Sequence, residues 1–407
     1  MPTLILTVVA LAWSLNAFAQ TQVKVSLLLF NGKQREVYHS QFAQFQNENP
    51  DLRLVIQDYE AEKYKAAIPE WLARDSHSDV MYWFSGERLN WFVKQNWIQP
   101  IDDVWESSNW DKMLSVGSKS TVLINNHLYA LPMHYYPWAI YYKKSLFKKY
   151  DIPVPTDWTT FLQAGELLKQ NRIAPIAVGS VNNWPFAAWF DYLNLRINGI
   201  DFHKQLMSGE ADYQSDEVRQ VFRYWQYLIE NEFFIKGHEK YTWKEVLPYL
   251  YREKAGMMLM GNFWTSQIPD NLVEEFELIR FPMIKPEMPF YEEAPTNVWF
   301  IPKNRQNHEG AVRFLTFMAR QDVQEKINQA IGMLAPNRYS EVGENHFLQT
   351  GKEVLDSAAG LSQFYDRDNP QPIATRGIKL MGQFAKNPKE LNSILKQFDE
   401  LAQESFK

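Results

Sequence analysis

VKVSLLLFNG (residues 23–32) is an apolar run closed by Asn-Gly, the form of a strand that ends in a turn. The chain after it alternates in type. Tyr38, Phe42 and Phe45 recur at i, i+4 and i+7, one face of a helix, and Asn49-Pro50 stops that helix. LRLVIQ (52–57) is a second strand, followed by a helix through Trp71-Leu72 that Pro69 is expected to kink or interrupt. DVMYWF (79–84) is a third strand, and another helix runs through Phe92-Val93. Strand, helix, strand, helix, strand is the pattern of a parallel sheet covered on both faces, where ligands bind beyond the carboxyl ends of the strands.

Further along, NNHLYALPMHYYPWAIYYKKSLF (125–147) reads as a turn, a strand broken at Pro132 and a second strand, which suits a chain crossing between lobes. Thr156 or Asp157 caps a helix with Phe161, Leu162, Leu167 and Leu168 inward. Helices dominate from about residue 160 to 255. MMLMGNFWTSQI (257–268) is then a buried strand that ends at Gly261-Asn262 and presents Phe263-Trp264 just past its end. A Pro-rich connection (281–304) leads into a short strand around Val298, and the remainder is mostly helical.

The 407 residues, 45% of them hydrophobic, are ample for two lobes or domains. A net charge of −6 argues against nucleic acid or an anionic membrane as the main partner. The 15 Trp, 20 Tyr and 26 Phe exceed what needs explaining by the core alone, so flat, apolar-faced ligands are worth testing. There is no cysteine, which excludes thiol nucleophiles, thiolate metal sites and a lipid-modified cysteine. The first 19 residues end in Ala17-Phe18-Ala19 and read as a secretory signal peptide cut before Gln20, which places the mature chain free in the periplasm. No phosphate-binding, nucleophile-elbow or zinc-protease motif occurs, and the eight histidines have no ligand spacing. We therefore expect no catalysis, no metal and no cofactor.

Taken in order, these segments resemble the extracellular solute-binding proteins of ABC importers, specifically the sugar-binding, maltose-binding-protein-like family. The similarity rests on VKVSLLLFNG with NPDLRLVI, on HSDVMYWFSGERLNWFVKQNWIQPIDD (77–103) and on the block 125–169. KAGMMLMGNFW (254–264) and EGAVRFLTFMARQDVQEKINQAIGMLAPNR (309–338) extend it. Ser78, Asn126, Ala130, Lys143 and Trp299 depart from the family pattern. Asn126 is absorbed easily because Asn tolerates the left-handed conformation.

The resemblance implies an α/β fold of the two-lobed periplasmic binding protein type (type II-like), each lobe a mainly parallel sheet flanked by helices. One lobe would comprise 20–132 and 295–335, the other 133–294 and 336–407. The function implied is hinge closure on a carbohydrate, foremost an oligosaccharide, and its delivery by a monomer to the transmembrane subunits of an ABC permease. Service to a sensor kinase or chemoreceptor, and a secreted carbohydrate-active enzyme, are the alternatives.

Sugars need aromatic faces for their C–H patches and polar groups for their hydroxyls. By their match to the family's ligand positions, Trp264 and Trp83 are the foremost stacking candidates. Core packing is the alternative for Trp83, and hinge packing the alternative for Trp299. Tyr136, His134 and Asn297 lie at the crossovers, and Glu87 and Arg88 on the tip after strand three. Asn31, Glu60, Trp184, Arg338 and Arg376 complete the set, Arg338 with a bracing role and Arg376 with a helix-face position as their alternatives.

Overall fold

In the computed structural model, which describes residues 20–74 and 78–406, the opening run is strand Thr21–Leu29. It pairs in parallel with Leu52–Glu60 on one side and Val80–Phe84 on the other. Thr296–Phe300 lies antiparallel between Val80–Phe84 and Ala130–Tyr135, so one strand of five runs against the rest. Helix Gly32–Glu48 covers one face with Tyr38, Phe42 and Phe45 all buried, as their spacing predicts. The leader expected over residues 1–19 lies outside the described residues.

Helix Ala61–Arg74 runs on through Pro69 instead of stopping there. Proline has no N–H, so the carbonyl four residues earlier loses its helical partner. That carbonyl, on Lys65, is met by Gln371 Nε2 at 3.5 Å.

The second sheet has the order Phe276–Ile279, Trp138–Lys143, Ala255–Gly261, Ala174–Ile176. Trp138–Lys143 is antiparallel to both neighbours, while Ala174–Ile176 and Ala255–Gly261 are parallel. All seven residues of Ala255–Gly261 are buried, as an apolar run closed by glycine predicts. Asp157 is the cap of helix Trp158–Gln170, with Thr160 completing a capping box.

The chain leaves the first sheet after Tyr135 and enters the second at Trp138, past the expected break at Pro132. What sits at Pro132 is a bulge. His134 pairs with Asn297 and Pro132 with Val298, which leaves Met133 unmatched. The Pro132 and Met133 carbonyls accept instead from the Gln324 and Asn328 side chains, each at 3.0 Å. Upstream, Asn125 and Asn126 both adopt positive φ, 50° and 64°, between the paired strands Leu123–Ile124 and His127–Leu128. A two-residue hairpin requires that conformation, and Asn126 supplies it where the family has glycine. A second crossing runs from strand Tyr291–Glu293 through Ala294-Pro295 into Thr296–Phe300. No helix among the described residues is long and apolar enough to cross a membrane.

Candidate functional site

Rings from both sheets meet at the carboxyl ends of their strands. Phe30 follows Thr21–Leu29 and Phe84 closes Val80–Phe84, with their centroids 6.5 Å apart. Phe263, just past Ala255–Gly261, stacks on Phe30 at 6.1 Å with 20° between the planes. Around Phe263 stand Tyr136 at 5.3 Å and Trp243 at 5.4 Å, both edge-on, and Trp184 at 6.4 Å. Gly261 makes this possible. A Cβ there would lie 2.5 Å from the Phe263 ring and 2.8 Å from Trp138 Nε1, so only glycine lets the ring fold back over the strand end.

Beneath the rings runs a buried polar chain. Arg367 donates to Asn297 Oδ1 at 2.7 Å and to Tyr136 Oη at 2.8 Å, and its guanidinium lies 4.0 Å from the Phe84 centroid. Asn297 Nδ2 donates to Tyr82 Oη at 2.9 Å, and Tyr82 is bonded in turn to His134 Nε2. Tyr82 thus links the Asn297 amide to the His134 imidazole. Burial, reinforced by the Arg367 charge, pushes the His134 pKa down to about 3, so the imidazole is neutral. Burial raises the Tyr136 hydroxyl, with Arg367 opposing the rise.

Two further groups reach the rim. Asn31 caps helix Gly32–Glu48, its Oδ1 accepting from Gln34 N at 2.8 Å. Glu60, at the carboxyl end of its strand, accepts from the Glu62 and Lys63 amides and opposes the lowering of the Lys244 pKa that burial causes. The structure thus gathers Tyr136, His134, Asn297, Trp184, Asn31 and Glu60 from the expected set.

Three expected residues pack elsewhere, and each is a correction with a packing cause. Trp264 is fully buried between Tyr141 at 5.2 Å and Phe276 at 5.5 Å, inside the second sheet's core. Trp83 lies under helix Glu87–Lys94, stacked on Phe92 at 5.2 Å. Trp299 is enclosed by Tyr38, Phe42, Tyr82 and Phe314 on the opposite face of the first sheet.

The expected cations brace the fold instead. Arg88 is buried, bonded to the Asp366 carbonyl and 3.3 Å from its carboxylate. Arg338 donates to the carbonyls of Asp111 and Leu114 at 3.1 and 2.6 Å. Arg376 pairs with Glu404 at 2.6 Å on an exposed helix face. Glu87 lines a groove of about 1050 Å³ formed with Ser118, Tyr135, Thr296, Gln363 and Asp368, which contains none of the ring cluster. Segment 363–368 separates the two: Arg367 turns to the rings while Gln363 and Asp368 face the groove. Gly86 admits this segment, since a Cβ there would lie 2.4 Å from Gln363 Nε2.

Phe30, Phe84, Phe263, Trp243, Lys244 and Arg367 were not foreseen. For Phe30, Phe84 and Phe263 the usable signal was position at a strand end. Arg367, in YDRDN, looks like any solvated charge alternation.

A family profile described as "Bacterial extracellular solute-binding protein" matches residues 31–325. The chain belongs to that family. An uncharacterised ABC transporter extracellular-binding protein of Pyrococcus horikoshii is 25% identical over 242 residues, 57% of this chain and 53% of that protein. The chain therefore aligns with about half the length of that relative. Among solved structures, the bacterial solute receptor AcbH, described as having an exclusive substrate preference for β-D-galactopyranose, superposes with a TM-score of 0.90 at 24% identity, covering 95% of this chain and 100% of its own. A chitin oligosaccharide binding protein superposes with a TM-score of 0.87 at 15% identity, covering 94% and 99%. These superpositions establish the two-lobed solute-binding-protein fold. The family is one of solute binders rather than of enzymes.

Proposed function

We propose that this family member grips a carbohydrate, foremost an oligosaccharide, where the strand ends of its two sheets meet, and delivers it to the transmembrane subunits of an ABC import permease. The ring set Phe30, Phe84, Phe263, Trp184 and Trp243 carries the reading, because its faces suit the C–H patches of sugar rings. Asn31, Glu60 and Lys244 at the rim offer donors and acceptors for hydroxyls, and Tyr136 and Arg367 lie below them. The galactopyranose and chitin oligosaccharide preferences of the solved relatives support the same ligand class. Short crossovers at Tyr136-Pro137, at Ala294-Pro295 and near residues 335–336 would join the lobes, and a bound sugar would bias closure about them. A cleaved leader over residues 1–19 would export the chain to the periplasm.

Thermal unfolding against mono- and oligosaccharides, with amino acids and polyamines alongside, tests the ligand class. A saturating sugar should raise the midpoint by several degrees, following the mass-action gain of a ligand that binds only the folded state. Stabilisation by an amino acid or polyamine alone would overturn the reading.

A further inference from the structure

The scattered histidines have no ligand spacing in the sequence, yet the fold brings one of them against two carboxylates. Asp191, on helix Trp184–Ile197, His203, on helix Gly199–Met207, and Glu293, at the end of Tyr291–Glu293, each place one ligand-type atom within 4.8 Å of the others. All three residues are buried, Asp191 at 1% exposure and the others at 0%. One oxygen of each carboxylate is held from outside: Tyr365 N donates to Asp191 Oδ1 at 3.0 Å, and Ser362 Oγ donates to Glu293 Oε1 at 3.0 Å. Asp191 Oδ2, Glu293 Oε2 and His203 Nε2 are buried with no hydrogen-bond partner. An outer hydrogen bond that orients a carboxylate while its other oxygen stays free is how metal ligands are typically held.

We propose that Asp191, His203 and Glu293 bind a first-row divalent cation, Zn²⁺ or Mn²⁺. One imidazole nitrogen and two carboxylates form the mixed donor set such ions take. Ligands at about 2.1 Å from an ion stand roughly 3–4 Å apart, so side-chain rotation of about an ångström closes the site. Two buried carboxylates and one imidazole, each with an unpartnered ligand-type atom turned to the others, offer a divalent ion three donors in one place.

The cluster lies one side chain from the groove wall. Asp368 Oδ2 stands 3.9 Å from His203 Nε2, and Asp368 lines the 1050 Å³ groove. The bound ion would pin the two helices to Glu293, one residue before the second crossing, and through Asp191 to the segment that carries Arg367. The site is thus separate from the ring cluster and independent of the ligand proposed for it.

The test uses untagged full-length protein incubated with Zn²⁺ or Mn²⁺, desalted and assayed by inductively coupled plasma mass spectrometry. About one equivalent should remain bound, and His203→Asn and Glu293→Gln should each reduce it to background. Circular dichroism checks that both variants fold. Should either fail to, Asp368→Asn at the mouth is the substitute and should weaken uptake several-fold. Co²⁺ titration gives a second readout, visible absorption bands in the wild-type protein that the His203→Asn variant lacks. Uptake below about a tenth of an equivalent by the wild-type chain, or wild-type uptake by the folded variants, would overturn the site and leave the cluster holding protons.

Discussion

Phe263 and Trp264 are neighbours in one short 3-10 turn, and they end in different regions of the molecule. Phe263 turns to the face where the sheets meet and stacks on Phe30, while Trp264 turns inward between Tyr141 and Phe276. Successive side chains of a 3-10 turn point about 120° apart, so adjacent rings cannot share a surface. Trp83 and Trp299 repeat the inward choice in the other lobe, and for all three tryptophans Nε1 is buried without a partner. The meeting face is built otherwise, from the phenyl rings of Phe30, Phe84 and Phe263, from Trp184 and Trp243, and from polar groups within reach. Trp83, Trp264 and Trp299 hold the lobes together internally, and Phe84 and Phe263 beside two of them turn to the meeting face.

The largest effect expected from this division is on stability. Trp264→Ala should lower the free energy of unfolding by about 3–5 kcal/mol in urea titrations, the scale for an emptied aromatic site in a core. Full stability with lost sugar binding would move Trp264 to the meeting face and break the comparison. Phe263→Ala should do the reverse. Its sugar affinity should fall by about 1–3 kcal/mol, roughly 5- to 150-fold by calorimetry, with a smaller loss of stability. Unaltered affinity would return that ring to structure alone.

A pH experiment sharpens the polar layer beneath the rings. The unfolded chain protonates His134 near its usual pKa of 6.5, and the folded chain only at about 3. The unfolded state therefore holds more protons between those values, and stability falls as pH drops through that window. Between pH 6.5 and 5 the loss from this group should be about 2 kcal/mol, and the His134→Asn variant should lack that share. Equal slopes for wild type and variant would show that the imidazole is not held neutral. The smallest effect belongs to Arg376→Ala, which breaks only an exposed ion pair. It should shift stability by no more than about 0.5 kcal/mol and leave sugar binding unchanged.

Much of the fold could be read from local pattern. The strand-helix alternation after residue 23, the Tyr38/Phe42/Phe45 face, the cap at 156–157 and the Asn-Asn turn each depend on neighbours a few residues apart. The site was legible only in part. Tyr136 and Asn297 were expected at the crossovers, and Asn31 and Glu60 after strands; the structure brings all four, with Trp184, to the region where the sheets meet. Trp83 and Trp299 were misplaced because strands buried on both faces read as continuous apolar runs, so no alternation says which side a ring takes. Arg367 could not be singled out, since its partners Tyr136 and Asn297 lie 231 and 70 residues away.

By itself the sequence determined the strand-helix alternation of its first hundred residues and the main later strands, because periodicity, caps and turns act over a few residues; its resemblance to solute-binding proteins rested on motifs in the same linear order. The tertiary structure alone decided which ring after each strand faces the partner lobe, where Arg367 anchors, and that Asp191, His203 and Glu293 converge. Those outcomes depend on which helix covers which face and on contacts across as much as half the chain, and no local propensity encodes either.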